Sequence, residues 1–166
     1  MKMNLIQPFI SAADCVLATA LNGPTKIGDL TMEQTEYRRR GCAVRVLIHG
    51  EIEGRIILDM APDTAILVAR ALGGEEIEAS GQIVSETIFE LANMIIGNAV
   101  TLLNDRGYKF KVLPPERYED SEAGSNRTDT EETAIYFDTA CGSIFLDICM
   151  RYNLRPRPER IPALGD

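Results

Sequence analysis

The chain has 166 residues, 45% of them hydrophobic, and a formal net charge of −8, which suits one domain with a real apolar core and argues against nucleic acid or phospholipid as partner, since both carry the same sign. Cys15, Cys42, Cys141 and Cys149 form no CxxC pair and have no histidine near them in sequence, the only one being His49, so a zinc site lacks ligands and buried thiols in a reducing compartment are expected. Neither a signal peptide nor an apolar run approaching 18 residues stands out, which makes the cytoplasm the expected location and a membrane an unexpected one.

Asn4 to Leu21 carries Ile6, Phe9, Ile10, Ala13, Val16, Leu17, Ala20 and Leu21 at helical spacing, and Asn22-Gly23-Pro24 ends the run. The polar stretch up to Tyr37 has room for a short edge strand, and Arg38-Arg39-Arg40 reads as a solvated basic loop. Cys42 to His49 and Gly54 to Met60 alternate as two strands of a hairpin, with Val44, Val46 and Ile48 on one face and Arg45 and Leu47 on the other. Pro62 and Asp63 open a second helix, in which Ile66, Leu67, Val68, Ala69, Ala71 and Leu72 are apolar and which Gly73-Gly74 closes.

Ser80 to Arg106 predicts one long central helix, with Ser80 as N-cap and Gly107 as a left-handed stop. At about 100° per residue, Val84, Ile88, Leu91, Ile95, Ala99 and Leu102 share an apolar stripe. On roughly the opposite side Glu86, Glu90, Asn93 and Gly97 stack at spacings of four, three and four. Such a row is usually a solvated face. Asn93 and Asn98, however, are poor helix-interior residues, and Gly97 removes a side chain where something can approach closely.

Tyr108 to Leu113 alternates as a strand that stops at Pro114-Pro115. Glu116 to Glu132 is polar, lacks the register of a calcium loop, and predicts a flexible excursion. Thr133 to Ala140 and Ser143 to Tyr152 form a second hairpin around Cys141-Gly142, and the tail 154–166 carries three prolines. Tight turns between successive strands imply an α+β fold, a mostly antiparallel sheet with helices packed on it, over 1–153 as a single domain.

The segment Glu86-Thr-Ile-Phe-Glu90-Leu-Ala-Asn93-Met-Ile-Ile-Gly97-Asn98 resembles the signature helix of the CheC/CheX/FliY chemotaxis phosphatases, and is most similar to CheX. Pro114-Pro115, the Gly50-Glu51-Ile52-Glu53-Gly54 hairpin and the Ala71-to-Gly74 helix end belong to the same resemblance, which runs to about Asn153. Glu86 departs from it, because that position usually holds Asp or Ser. The resemblance implies a phosphatase that enters the active site of a phosphorylated CheY-type response regulator. It implies that Asn93 positions the attacking water and that Glu90 pairs with the regulator's active-site Lys. Glu86, Gly97 and Pro114 are then partner-binding candidates. No cofactor is expected on this chain, Mg2+ is expected on the regulator, and a homodimer is implied. The alternative is a response-regulator-binding adaptor or flagellar-switch domain of the same fold without efficient hydrolysis.

Overall fold

Alternating apolar strands set the architecture. The computed structural model describes residues 4–21, 23–29, 41–74, 80–118 and 131–153. In it, Cys42–Gly50 (β2) and Ile52–Met60 (β3) form the first expected antiparallel hairpin. Glu131–Thr139 (β6) and Gly142–Tyr152 (β7) form the second. The two hairpins join where β3 pairs with β7, from Ile52 opposite Tyr152 to Met60 opposite Ile144. Lys26–Asp29 (β1), a short edge strand in the early polar stretch, extends the sheet beyond β6. Phe110–Val112 (β4) and Glu116–Arg117 (β5) both pair with β2 on the other side. Every pairing is antiparallel, and the seven-stranded order is β1-β6-β7-β3-β2-β4 with β5 also on β2.

Period-two alternation sends Val44, Val46, Ile48, Ile56, Leu58, Met60, Ile144, Leu146, Ile148 and Met150 to one face, where all are buried. The helices cover that face. Gln7–Ala20 (α1) brings Phe9, Ala13 and Leu17, and Pro62–Gly73 (α2) brings Ala65, Val68 and Ala69. Gly81–Asp105 (α3) packs on α1, α2 and β2 through Val84, Ile88, Leu91, Ile95 and Ala99. By length and composition α3 could cross a bilayer; here its apolar side is the one turned onto the core of an α+β layer.

Several details differ from the sequence reading. Leu102 lies on the predicted stripe but is exposed, and Leu103 is buried instead. The buried arc of α3 rotates along its length, because its C-terminal half adds Ile96 and Leu103 to the residues it buries. In α2 Leu67 and Ala71 are exposed, and the burial falls on Thr64, Ala65, Val68 and Ala69. The cysteines are free but not buried: Cys15 is exposed and the other three are half-buried. The span predicted as an excursion begins in β5 with Tyr118 buried behind it and ends inside β6. Residues 119–130, Arg38-Arg39-Arg40 and the tail 154–166 lie outside the described residues.

The sheet face away from the helices buries a smaller cluster of Ala43, Ile57 and Tyr118. Arg45 lies over the Tyr118 ring and pairs with Glu116 at 2.6 Å. On the same face Asp147 is buried, its Oδ2 accepts no hydrogen bond among the described residues, and the Arg55 guanidinium stands 3.7 Å away. Burial, with Glu132 adding to it and Arg55 opposing, raises its pKa from 3.8 to about 6. A raised acid binds its proton more tightly in the folded state, so this group's contribution to stability falls as pH rises from about 4 to about 6. Thermal melts should therefore show Asp147→Asn more stable than the parent at pH 7, by up to roughly 3 kcal/mol. The gap should close toward pH 4. Parallel pH profiles for parent and variant would mean that Asp147 does not titrate in this window.

Candidate functional site

The long helix α3 is held at both ends by its own sequence. Ser80 Oγ accepts the Ile83 N–H at 3.3 Å, satisfying one of the free donors of the first turn. At the far end Gly107 adopts φ 91°, and its N–H donates to the Asn104 carbonyl at 2.9 Å. Between these stops the buried stripe fixes the helix rotation, and Glu86, Glu90, Asn93 and Gly97 are all exposed along the outer side.

The four differ in what holds them. Glu86 accepts a hydrogen bond from Gln82 Nε2 at 3.2 Å, so it is tied to its own helix. Among the described residues no side chain hydrogen-bonds Glu90 or Asn93. Asn98 is a useful contrast, because its Nδ2 folds back onto the Met94 carbonyl at 2.8 Å. Asn93 thus carries the helix cost of asparagine, about 0.5 kcal/mol against Ala, with no internal bond in return. Gly97 costs about 1 kcal/mol on the same scale. A Cβ built there would meet nothing within 4 Å, so no contact in the described fold requires the glycine.

Glu90 and Asn93 are one turn apart, a spacing that sets Cβ atoms about 5–6 Å from each other. Both are exposed on the outer side of the helix. A groove of about 400 Å3 flanks the N-terminal half of the helix, but Cys42, Val44, Ile66, Ser85, Phe89 and Arg117 are among its lining and the pair is not. Among the described residues neither this groove nor the small cavity between α3 and the sheet is lined by the pair. Presented this way, a carboxylate and an amide are accessible to a second molecule. Nor do three His, Cys, Asp or Glu side chains gather as metal ligands would among the described residues.

Pro114 is exposed at the sheet edge between β4 and β5. The two prolines mark a register shift. Val112 lies opposite Ile48, whereas Arg117 lies opposite Val44, so the edge carries one residue more than β2 does between those pairs. The shift is a β-bulge, the place in a sheet where prolines are tolerated. Its consequence reaches α3. Arg117 shares the face of Val44, toward the helices, and its guanidinium donates to Ser85 Oγ at 3.3 Å. Without the extra residue Arg117 would sit opposite Ala43 and turn to the other face. This side chain was invisible in the sequence, where it falls in a polar stretch; only the Pro-Pro signal hinted at the bulge that aims it.

A family profile described as "Chemotaxis phosphatase CheX" matches residues 42–138, more than half of the chain and the whole of α3. The chain belongs to the CheX family. Solved CheX structures agree with the fold. A CheX from Borrelia burgdorferi, determined in a CheX-CheY complex with BeF3 and Mg2+, is 29% identical with a TM-score of 0.71, over 90% of this chain and 99% of that one. A chemotaxis protein CheX from Desulfovibrio desulfuricans is 25% identical with a TM-score of 0.69, over 89% and 99%. CheX from Vibrio vulnificus, at 19% identity and a TM-score of 0.74 over 89% and 99%, shares the fold. No curated protein is matched by sequence. The three helices and seven antiparallel strands of the described residues thus match the CheX fold, and the family is one of chemotaxis phosphatases.

Proposed function

We propose that this chain hydrolyses the aspartyl phosphate of a CheY-type response regulator, with Asn93 orienting the attacking water and Glu90 docking on the regulator's active-site Lys. The observation that carries the proposal is the pair itself: two exposed polar side chains, without a hydrogen bond among the described residues, one turn apart on the long helix of a CheX-family fold. An exposed pair of this kind is available to a partner's active site. The Borrelia relative was solved in complex with CheY, BeF3 and Mg2+, and BeF3 is a chemical mimic of a phosphoryl group.

The chemistry fits the residue types. Aspartyl-phosphate hydrolysis needs an in-line water and stabilised charge on the transferring group. A neutral amide can hold a water without presenting charge to the phosphoryl oxygens. A carboxylate beside phosphate would be repelled unless it meets a cation, which a Lys ammonium supplies. Mg2+ in this scheme belongs to the regulator. Glu86 and Pro114 serve at the periphery, Glu86 as a partner contact and Pro114 through the bulge that aims Arg117. The chain works as a homodimer in this reading, which sedimentation velocity would test.

Glu90→Ala should weaken binding of a regulator charged with beryllofluoride by about tenfold or more, the loss expected for one desolvated charge pair. Isothermal titration against the regulator from the same genome measures it. Unchanged affinity would remove Glu90 from the interface. The function itself is tested by the decay of the phosphorylated regulator with and without the protein. Binding without faster decay would make it an adaptor.

A further inference from the structure

We infer that Gly97 sets how deeply α3 enters its partner: the bare helix surface at Gly97 receives a main-chain segment of the phosphorylated regulator, and this contact brings the short Asn93 side chain within reach of the phosphoryl group. The inference rests on the reading of Asn93 as the water-orienting group and adds a limit on approach.

The geometry is that of neighbours on one helix row. Gly97 follows Asn93 by four residues, about 6 Å along the axis and about 40° around it. Asparagine is a short side chain. Where a partner's main chain rests directly on the neighbouring helix surface, any atom added to that surface holds the helix, and the amide with it, away from the partner. Glu86 and Glu90 are long but flexible and can fold aside. Gly97 has no side chain to fold, and the next residues lie flat as well. Thr101 donates its hydroxyl to the Gly97 carbonyl at 3.2 Å, and Asn98 donates to the Met94 carbonyl at 2.8 Å. The result is a low platform one turn beyond Asn93, with the half-exposed Met94 at its rim.

Nothing among the described residues explains the glycine. Gly73 and Gly81 sit at helix ends, and Gly107 takes a positive φ that favours glycine, but Gly97 lies mid-helix without one. A Cβ at 97 would have open space around it. The fold would be more stable with alanine there, so the empty volume serves something outside the described chain. Close backbone approach is the use that only glycine allows. A partner helix terminus or loop fits such a surface, whereas a bulky partner side chain would not need it.

The test uses the full chain with Gly97→Ala and Gly97→Leu, and the CheY-type regulator of the same genome. Gly97→Ala should raise the Tm by about 2–4 °C, which shows that the fold is intact. Against the phosphorylated regulator it should cut the stimulated decay rate about tenfold to a hundredfold, because displacements near 1 Å cost about that much in a positioned reaction. Affinity for the beryllofluoride-charged regulator should fall less than the rate does. Gly97→Leu should lose both. If the wild type accelerates decay and both variants match it, the inference fails while the phosphatase reading stands. If the wild type binds but does not accelerate decay, the phosphatase reading fails. In that case loss of binding by Gly97→Leu supports the close contact and full retention overturns it. A wild type that neither binds nor accelerates decay overturns both.

Discussion

Replacing Asn93 with Ala is expected to abolish stimulated dephosphorylation while the protein still binds the charged regulator. Among the described residues the exposed amide makes no hydrogen bond, so its removal should leave the core packing untouched. Alanine is also the better helix former, and stability should rise by roughly 0.5 kcal/mol. What is lost is the orientation of one water against the phosphorus. Positioning of that kind is worth several orders of magnitude in rate, and the stimulated rate should fall by about 100-fold or more. Asn93→Gln keeps the amide but displaces it by a methylene, and the same physics predicts a large loss there too. The measurement is the decay of phosphorylated regulator at saturating protein, read beside the affinity for the beryllofluoride form. An Asn93→Ala protein that hydrolyses at the wild-type rate would end the proposed mechanism, whatever its effect on binding.

The sequence revealed α3 and its outer row because the helix is long, capped at both ends and strongly periodic. Rotation about a helix axis follows from spacing alone once one stripe is buried, so Glu86, Glu90, Asn93 and Gly97 all emerged on the exposed side. The stripe erred only at its end. Leu102 and Leu103 differ by one position, and which of them is buried depends on how α3 packs, a tertiary fact that no local pattern contains. The same limit applies to α2, whose Leu67 is exposed although it looks as apolar as its neighbours. Thiol burial could not be read from composition either: Cys42, Cys141 and Cys149 lie at strand ends and turns or on the less covered sheet face, so they remain partly accessible. Arg117 is the instructive omission. Its aim depends on a one-residue bulge, and a shift of one residue inverts every side chain beyond it. Pro114-Pro115 marked where a regular strand must stop, but not that β2 would go on pairing past them.

Gly54→Ala is expected to be the most damaging small substitution in the described sheet. Gly54 lies in β3, between Ile48 of β2 and Met150 of β7. A Cβ at this position would lie 2.0 Å from the Cys149 carbonyl oxygen, 2.8 Å from Met150 Sδ and 2.9 Å from Met150 Cα. The methionine sulfur could swing away, but the first and last of these are backbone. Backbone on one side and a paired strand on the other leave β3 no direction of retreat. Relief requires β3 and β7 to part locally and give up ladder hydrogen bonds in the middle of the sheet. Overpacking alone costs about 1–3 kcal/mol, and broken pairing between buried strands adds to it, so a loss above about 3 kcal/mol is expected. That corresponds to a Tm lower by about 6–12 °C or more for a chain of this size. Gly50 answers the same need at the other end of the turn, where a Cβ would lie 2.5 Å from Phe110 Cα. The paired glycines of the Gly50-to-Gly54 hairpin are therefore close-approach positions for two different strands, β4 and β7. Gly81→Ala, with nothing within 4 Å of the added carbon, is the matched control and should leave the Tm unchanged or slightly raised. A Gly54→Ala protein melting with the wild type would show that β3 and β7 do not pair in this register.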